Sequence, residues 1–331
     1  MLRPYSSVNE VNFFRGAGTV INLGRSLQVA AFASYKPIDA SVSTDTIENS
    51  DFDSFGSIRF DGFHRTTTEI ANKNSIHQTN AGLKLEFKKR DFKLAANGLY
   101  TSFDAPLLPD IALYKKYLFN GDKLINASLD YTWRYRNLTF FGEAAMSDNG
   151  GTAQVHGLLM GLERRIDLSA GYRNVDQDYQ VLNANAFAES SQPINEKGFY
   201  LGMEIRPFKN ITISSYADIW SHPWVGYRRD GPADGKEFLV KLTYTQKRKM
   251  DFYIQYRYEK KQINSSNENI IDYPEYQTLQ RLRFHLSYKL TKEWELKDRA
   301  EFSFFTKNTS CLLYTSPSPR DRTRSRMPSS A

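Results

Sequence analysis

The chain has 331 residues, of which 40% are hydrophobic, 14% aromatic and 24% charged. Its 44 basic and 37 acidic residues leave a formal charge of +7, and a single cysteine, Cys311, rules out an internal disulfide framework or a thiolate metal cluster. No run of about 18 apolar residues occurs, which excludes a transmembrane helix.

The opening MLRPYSSVNE has no basic segment leading into an apolar one, so it is not a secretion signal. Met1 reads as an internal or truncated start. A first tight turn is expected near Gly24-Arg25. The segment HRTTTEIANKN, His64 to Asn74, then breaks the strand pattern. Thr66 followed three residues later by Glu69, with Ile70 and Ala71 behind, is the signature of a capped short helix near 66–74. The strands between Gly24 and the next tight turn add up to an odd number, so the two turns could not share one side of a barrel. Either a strand is hidden in this region, or His64, Arg65 and Glu69 belong to a plug segment folded into the lumen. A helix on a surface loop is the plainer alternative.

The clearest pattern begins at Leu83. Leu83, Leu85 and Phe87 alternate with Lys84, Glu86 and Lys88; after a turn at Lys89-Arg90, Phe92, Leu94, Ala96, Gly98 and Tyr100 alternate with Lys93, Ala95, Asn97 and Thr101. Side chains alternate faces along a strand, so a two-residue turn brings Phe87 opposite Phe92 and puts all the apolar side chains on one surface. The pattern recurs down the chain: Ile125 to Trp133, Leu138 to Met146, Leu158 to Tyr172, Phe199 to Ile205, Ile211 to Ile219, Phe238 to Tyr244, Phe252 to Tyr258, Leu282 to Leu290, and Trp294 to Phe304 with Asp298 as a charged exception. Tight basic turns (Lys89-Arg90, Tyr135-Arg136, Glu163-Arg164-Arg165, Pro207 to Lys209, Gln246 to Lys249, Leu290 to Lys292) alternate with longer polar loops at 104–121, 175–195, 221–234 and 264–276. Of the 12 prolines, the three in the last residues aside, all are expected in loops, turns or the N-terminal segment.

Segments of about ten residues, short turns on one side and long loops on the other predict an all-β, antiparallel up-and-down transmembrane β-barrel of roughly 14–16 strands, incomplete at its ends. Trp133, Trp220, Trp224, Trp294, Phe199 and Tyr100 fit interfacial aromatic girdles. A soluble sandwich also alternates, but keeps its apolar face inside and rarely needs so many long, heavily charged strands. The expected location is the bacterial outer membrane, with outer-membrane lipid as partner; oligomeric state is open.

The composition changes at Cys311, where alternation ends and Ser, Pro and Arg take over. Cys311 to Ser316 back-translates to TGT CTC TTA TAC ACA TCT, which resembles the transposon mosaic end used in preparing sequencing libraries, and Ser325 to Ala331 resembles an outer adapter. Residues 311–331 are therefore read as translated adapter from a metagenomic contig, an artefactual disordered tail behind a 1–310 barrel fragment. Without them the basic residues fall from 44 to 40 and the acidic from 37 to 36, so the charge drops from +7 to +4. The basic balance then needs no nucleic-acid partner, and nothing in the fragment supports one.

Several strings resemble one family: Phe13-Phe14-Arg15-Gly16, Gly62 to Thr66 followed by Glu69-Ile70, Phe141-Gly142-Glu143-Ala144, Ala186 to Glu189, Asn195 to Gly202, and Tyr216-Ala217-Asp218 with Trp224. Together they are similar to the C-terminal barrel region of Bacteroidetes helix-hairpin-helix domain-containing proteins. The resemblance implies a signal peptide and periplasmic helix-hairpin-helix repeats ahead of the barrel. Both are missing here, so any DNA binding by those repeats is not carried over.

The polar face offers Asp130, Arg134, Glu143, Arg173, Glu204, Arg206, Asp218, Lys241, Arg257, Glu259, Arg281 and Arg283 as lumen-lining candidates. They could form a selectivity lining. Because acids and bases are mixed, they could equally pair with one another and serve only structure; Glu143 with Arg134 or Arg173 is one such pair. No enzyme activity is expected. The five histidines (His64, His77, His156, His222, His285) have neither metal spacing nor a nucleophile motif, so no metal or cofactor is expected. Three readings stand: a barrel for transport or for anchoring a missing periplasmic module; a plugged structural or adhesion barrel with functional surface loops; and, with least support, an envelope hydrolase.

Overall fold

The computed structural model describes residues 13–47, 50–190, 192–264, 274–291, 294–307 and 310–315. The expectations for the opening ten residues and for most of the loop after Asn264 lie outside these. The described chain is all-β, antiparallel and up-and-down, as the alternation predicts, and forms two compact units.

The first unit comprises residues 1–156 and 173–196. Its strands β1 (Gly16–Leu23) and β2 (Leu27–Ile38) form a hairpin. The short β3 (Ala40–Ile47) and β4 (Ser50–Ile58) follow, then helix α1 (Thr67–Ala71) and β5 (Ile76–Lys89). β2 pairs directly with β5, from Leu27↔Phe87 to Ile38↔Ile76. Four strands, β2 to β5, therefore lie between the two turns, an even number: the segment 40–58 holds two strands, β3 and β4, a hairpin inserted between two neighbours. It is rich in Ser, Asp and Thr, so periodicity gives it no apolar face. α1 carries the expected capping box, with the Thr66 side chain accepting from the Glu69 N–H and the Glu69 carboxylate accepting from Thr66 N. Hydrogen bonds from the Arg65 and Thr66 amides, the Arg65 bond foremost, hold that carboxyl below the usual range.

β6 (Phe92–Leu107), β7 (Gly121–Tyr135) and β8 (Leu138–Ser147) complete this ladder in register with β5. The β5–β6 turn differs from expectation by one position. Lys89 pairs with Phe92 and Phe87 with Leu94, so the turn is Arg90-Asp91, with Arg90 in the left-handed region at φ 49°. The pairing shifts by two residues, an even number, so every side chain keeps its face.

The second unit holds residues 157–172 and 197–331. The hairpin of β9 (Thr152–Glu163) and β10 (Ile166–Val175) lends residues to both units. β11 (Glu196–Phe208), β12 (Ile211–His222), β13 (Ala233–Gln246), β14 (Met250–Asn264), β15 (Pro274–Lys289) and β16 (Glu295–Lys307) then pair in chain order. β17 (Ser310–Thr315) pairs antiparallel with β16. Strand pairing thus runs five residues into the segment read as an irregular tail, because a bare strand edge templates pairing.

Prolines depart from expectation. Pro37, Pro106, Pro207 and Pro274 lie within strands, but Pro37 and Pro274 are at strand ends, and Pro106 and Pro207 sit at register shifts, where a ladder hydrogen bond is not lost.

Candidate polar lining and its closing loop

In both units the aliphatic face is bare, while much of the charged face is buried or half-buried; Arg134 and Glu143 are exposed. In the first, Leu83, Leu85, Phe87, Phe92, Leu94, Ile125, Leu129 and Trp133 are all exposed, Leu129 at 55%. The side chain of the adjacent Asp130 keeps only 19% of its surface. The second unit repeats this with Phe199, Leu201, Met203, Ile219, Phe238 and Leu242 exposed, while Glu237 and Glu259 are buried.

On the charged face of β5–β7 the register places Glu86 opposite Ala95 and Ala95 opposite Asp130. Ala95 is small enough for the two carboxylates to be bridged across it. Lys84 reaches Asp130 at 3.2 Å and Glu86 at 3.5 Å; Lys93 reaches them at 3.1 and 3.8 Å. Asn97 donates to Asp130 at 3.0 Å and to Ser128 at 3.1 Å. Two lysines and two carboxylates therefore cancel. Glu143 stands directly opposite Asp130 on β8 and forms no ion pair among the described residues. Arg134 is exposed at the tight-turn end of β7.

Towards the long-loop end, the same face becomes apolar. Ile38, Phe55, Ile76, Phe103, Leu107, Phe119 and Leu124 form a buried cluster. Phe55, fully buried, comes from β4, which bridges β6 at Leu107. The inserted hairpin thus caps a conventional core. α1 buries no side chain. His64 is tied to Asp39 at 2.7 Å, and Asp39 also accepts from the Asn74 amide at 2.9 Å. Arg65 lies over the Phe63 ring and beside Glu69. The proposed plug residues therefore belong to a segment fastened at the β2–β3 junction.

A different segment covers the polar face. The 176–195 loop is sewn down by Gln180, whose amide donates to Ser147 Oγ and whose carbonyl accepts from Asn126 Nδ2 at 2.8 Å, and by Asn149 Nδ2 donating to Asp178 O. Its base is held by Arg173, whose Nε lies 2.5 Å from Glu196 Oε1, with both side chains essentially without solvent contact (1% and 0%). Glu196 also accepts from the Glu189 and Ser190 amides, at 2.9 and 3.3 Å. Arg173 thus pairs with Glu196 and not with Glu143. Between this loop and the strands lies a cavity of about 830 Å³, lined among others by Lys84, Asn97, Asp130, Glu143, Tyr179 and Asn185.

In the second unit, Arg257 bridges Glu237 and Glu259, Tyr216 donates to Glu237, and Lys261 contacts Glu259 at 2.5 Å. Arg283 pairs with Glu301 at 2.6 Å, and Arg206 with Glu204 and Asp167 at 2.6 and 2.7 Å. Lys241 lies over the Tyr253 ring. Asp218 is placed between Tyr200 and Glu237 by the register, and Arg281 directly opposite Arg257. Most of the lining candidates thus meet opposite charges; Lys84, Glu86, Lys93, Asp167, Glu196, Glu237, Lys261 and Glu301 complete the pairs and are not among the candidates, although Glu196, for one, is in phase with Glu204 on β11.

Trp220 departs from the girdle expectation. It is buried, on the face opposite the exposed Ile219. Its register partner Gly235 makes room: a Cβ there would lie 2.5 Å from the indole. Gly235→Val is expected to cost about 1–3 kcal/mol through overpacking, read as a lower unfolding midpoint; no change would show that the ring is free to move.

No family model and no curated protein matches the chain. Among solved structures, OccAB3 from Acinetobacter baumannii is similar at 12% identity and a TM-score of 0.40, over 87% of this chain and 84% of that one. So slight a likeness transfers no function.

Proposed function

We propose that this chain is an integral outer-membrane β-barrel whose charged face lines an aqueous path, serving transport or anchoring a periplasmic module. The anchoring role rests on the resemblance to helix-hairpin-helix domain-containing proteins. The observation that carries the reading is the inversion of faces. Eight large apolar side chains bare on β5–β7 alone forgo on the order of 10 kcal/mol if they face water. That is as large as the whole stability of an ordinary domain, about 5–15 kcal/mol. Against hydrocarbon the same surface costs nothing, and the backbone is satisfied by its neighbours' ladder bonds.

A second reading, a plugged structural or adhesion barrel with working surface loops, is favoured by the 176–195 loop over the cavity and by the mutual pairing of charges. Refolding from urea tests the common element: native strand content should appear only with detergent or lipid vesicles. A soluble monomer formed in plain buffer would refute it. Planar-bilayer recording then separates the two: discrete conductance steps support a path, and a silent inserted barrel supports the plugged form.

A further inference from the structure

We infer that the cavity under the 176–195 loop is a binding site for an organic cation, an amine carrying an apolar body, with Glu143 as its counter-ion. This deepens the transport reading and rests on it. The cavity's volume of about 830 Å³ suits a small organic solute. Its charged lining consists of Lys84, Asp130 and Glu143. Lys84 is engaged by Asp130 and Glu86, and Asp130 is shared by Lys84 and Lys93. Those four charges balance, so Glu143 brings the one uncompensated charge to the wall.

The rest of the wall sets the ligand's other half. Phe141 stands two residues from Glu143 on the same strand face, and Phe32 also lines the space. From the loop side comes Tyr179, whose phenol is held above the usual range by burial and, secondarily, by the charge of Glu143. Aromatic faces attract cations and accept apolar bodies. Asn97, Asn183 and Asn185 add neutral hydrogen-bonding groups. An anion would meet Glu143 unshielded, and a neutral solute would leave the carboxylate without a partner.

The test uses the full chain refolded in detergent, with 2-phenylethylamine as probe and 2-phenylethanol as its neutral counterpart, titrated by calorimetry. The amine should bind more tightly than the alcohol by about tenfold or more, as a charge-assisted contact provides. Glu143→Gln should remove that preference while Glu143→Asp retains part of it. Equal binding of amine and alcohol, or an amine preference that survives Glu143→Gln in a variant with unchanged circular dichroism, would overturn the assignment. Either result would leave the detergent dependence of folding untouched, so failure here is distinguishable from failure of the membrane reading.

Discussion

Leu129→Arg is expected to destabilise the protein by about 2–4 kcal/mol in lipid vesicles, the cost of a charge on the lipid face near the bilayer midplane. Leu129 lies on the exposed face of β7, flanked in the register by Ala96 and Ala144. It is 55% exposed and far from the tight turn after Tyr135 that would let an arginine reach water. On a water-facing surface the same substitution stays within about 0.5 kcal/mol. Urea unfolding in vesicles separates these values. A change below 0.5 kcal/mol would mean that the exposed aliphatic face does not meet hydrocarbon.

Glu196→Ala is expected to cost about 3–5 kcal/mol, because it leaves the buried Arg173 guanidinium without its counter-charge. It also strips the Glu189 and Ser190 amides of their acceptor, so the 176–195 loop should become open to limited proteolysis. The double change Arg173→Met with Glu196→Leu removes both charges and should regain much of the stability, since apolar replacement of a buried pair is often near neutral. The loop should remain labile in the double variant, because its amides are still unsatisfied. A stability loss under 1 kcal/mol for Glu196→Ala, or a loop as resistant as before, would show that this pair does not hold the loop.

Much of the architecture was legible in residue order because a strand's two faces are written at period two. Leu83, Leu85 and Phe87 against Lys84, Glu86 and Lys88 identify both faces of β5 without any knowledge of its neighbours, and the Thr66–Glu69 cap is equally local. The β3–β4 hairpin was not legible, since its backbone pairing and the burial of Phe55 depend on partners from β6 and the cluster around Phe103. The site was half legible. Alternation marked Asp130, Arg257 and Arg283 as lying on the charged face of their strands, but cross-strand register, set by the turns, chose their partners.

Sequence by itself determined the strand faces, the alternation of short turns with long loops, and the absence of any helix able to span a membrane. These follow from local spacing, which survives a two-residue shift in pairing. Tertiary structure alone decided that Arg173 meets Glu196, that Trp220 is buried against Gly235, and that Glu143 forms no ion pair among the described residues beside the cavity under the 176–195 loop. Those outcomes join residues from different strands or loops, where ladder register and loop path settle which charges meet and which do not.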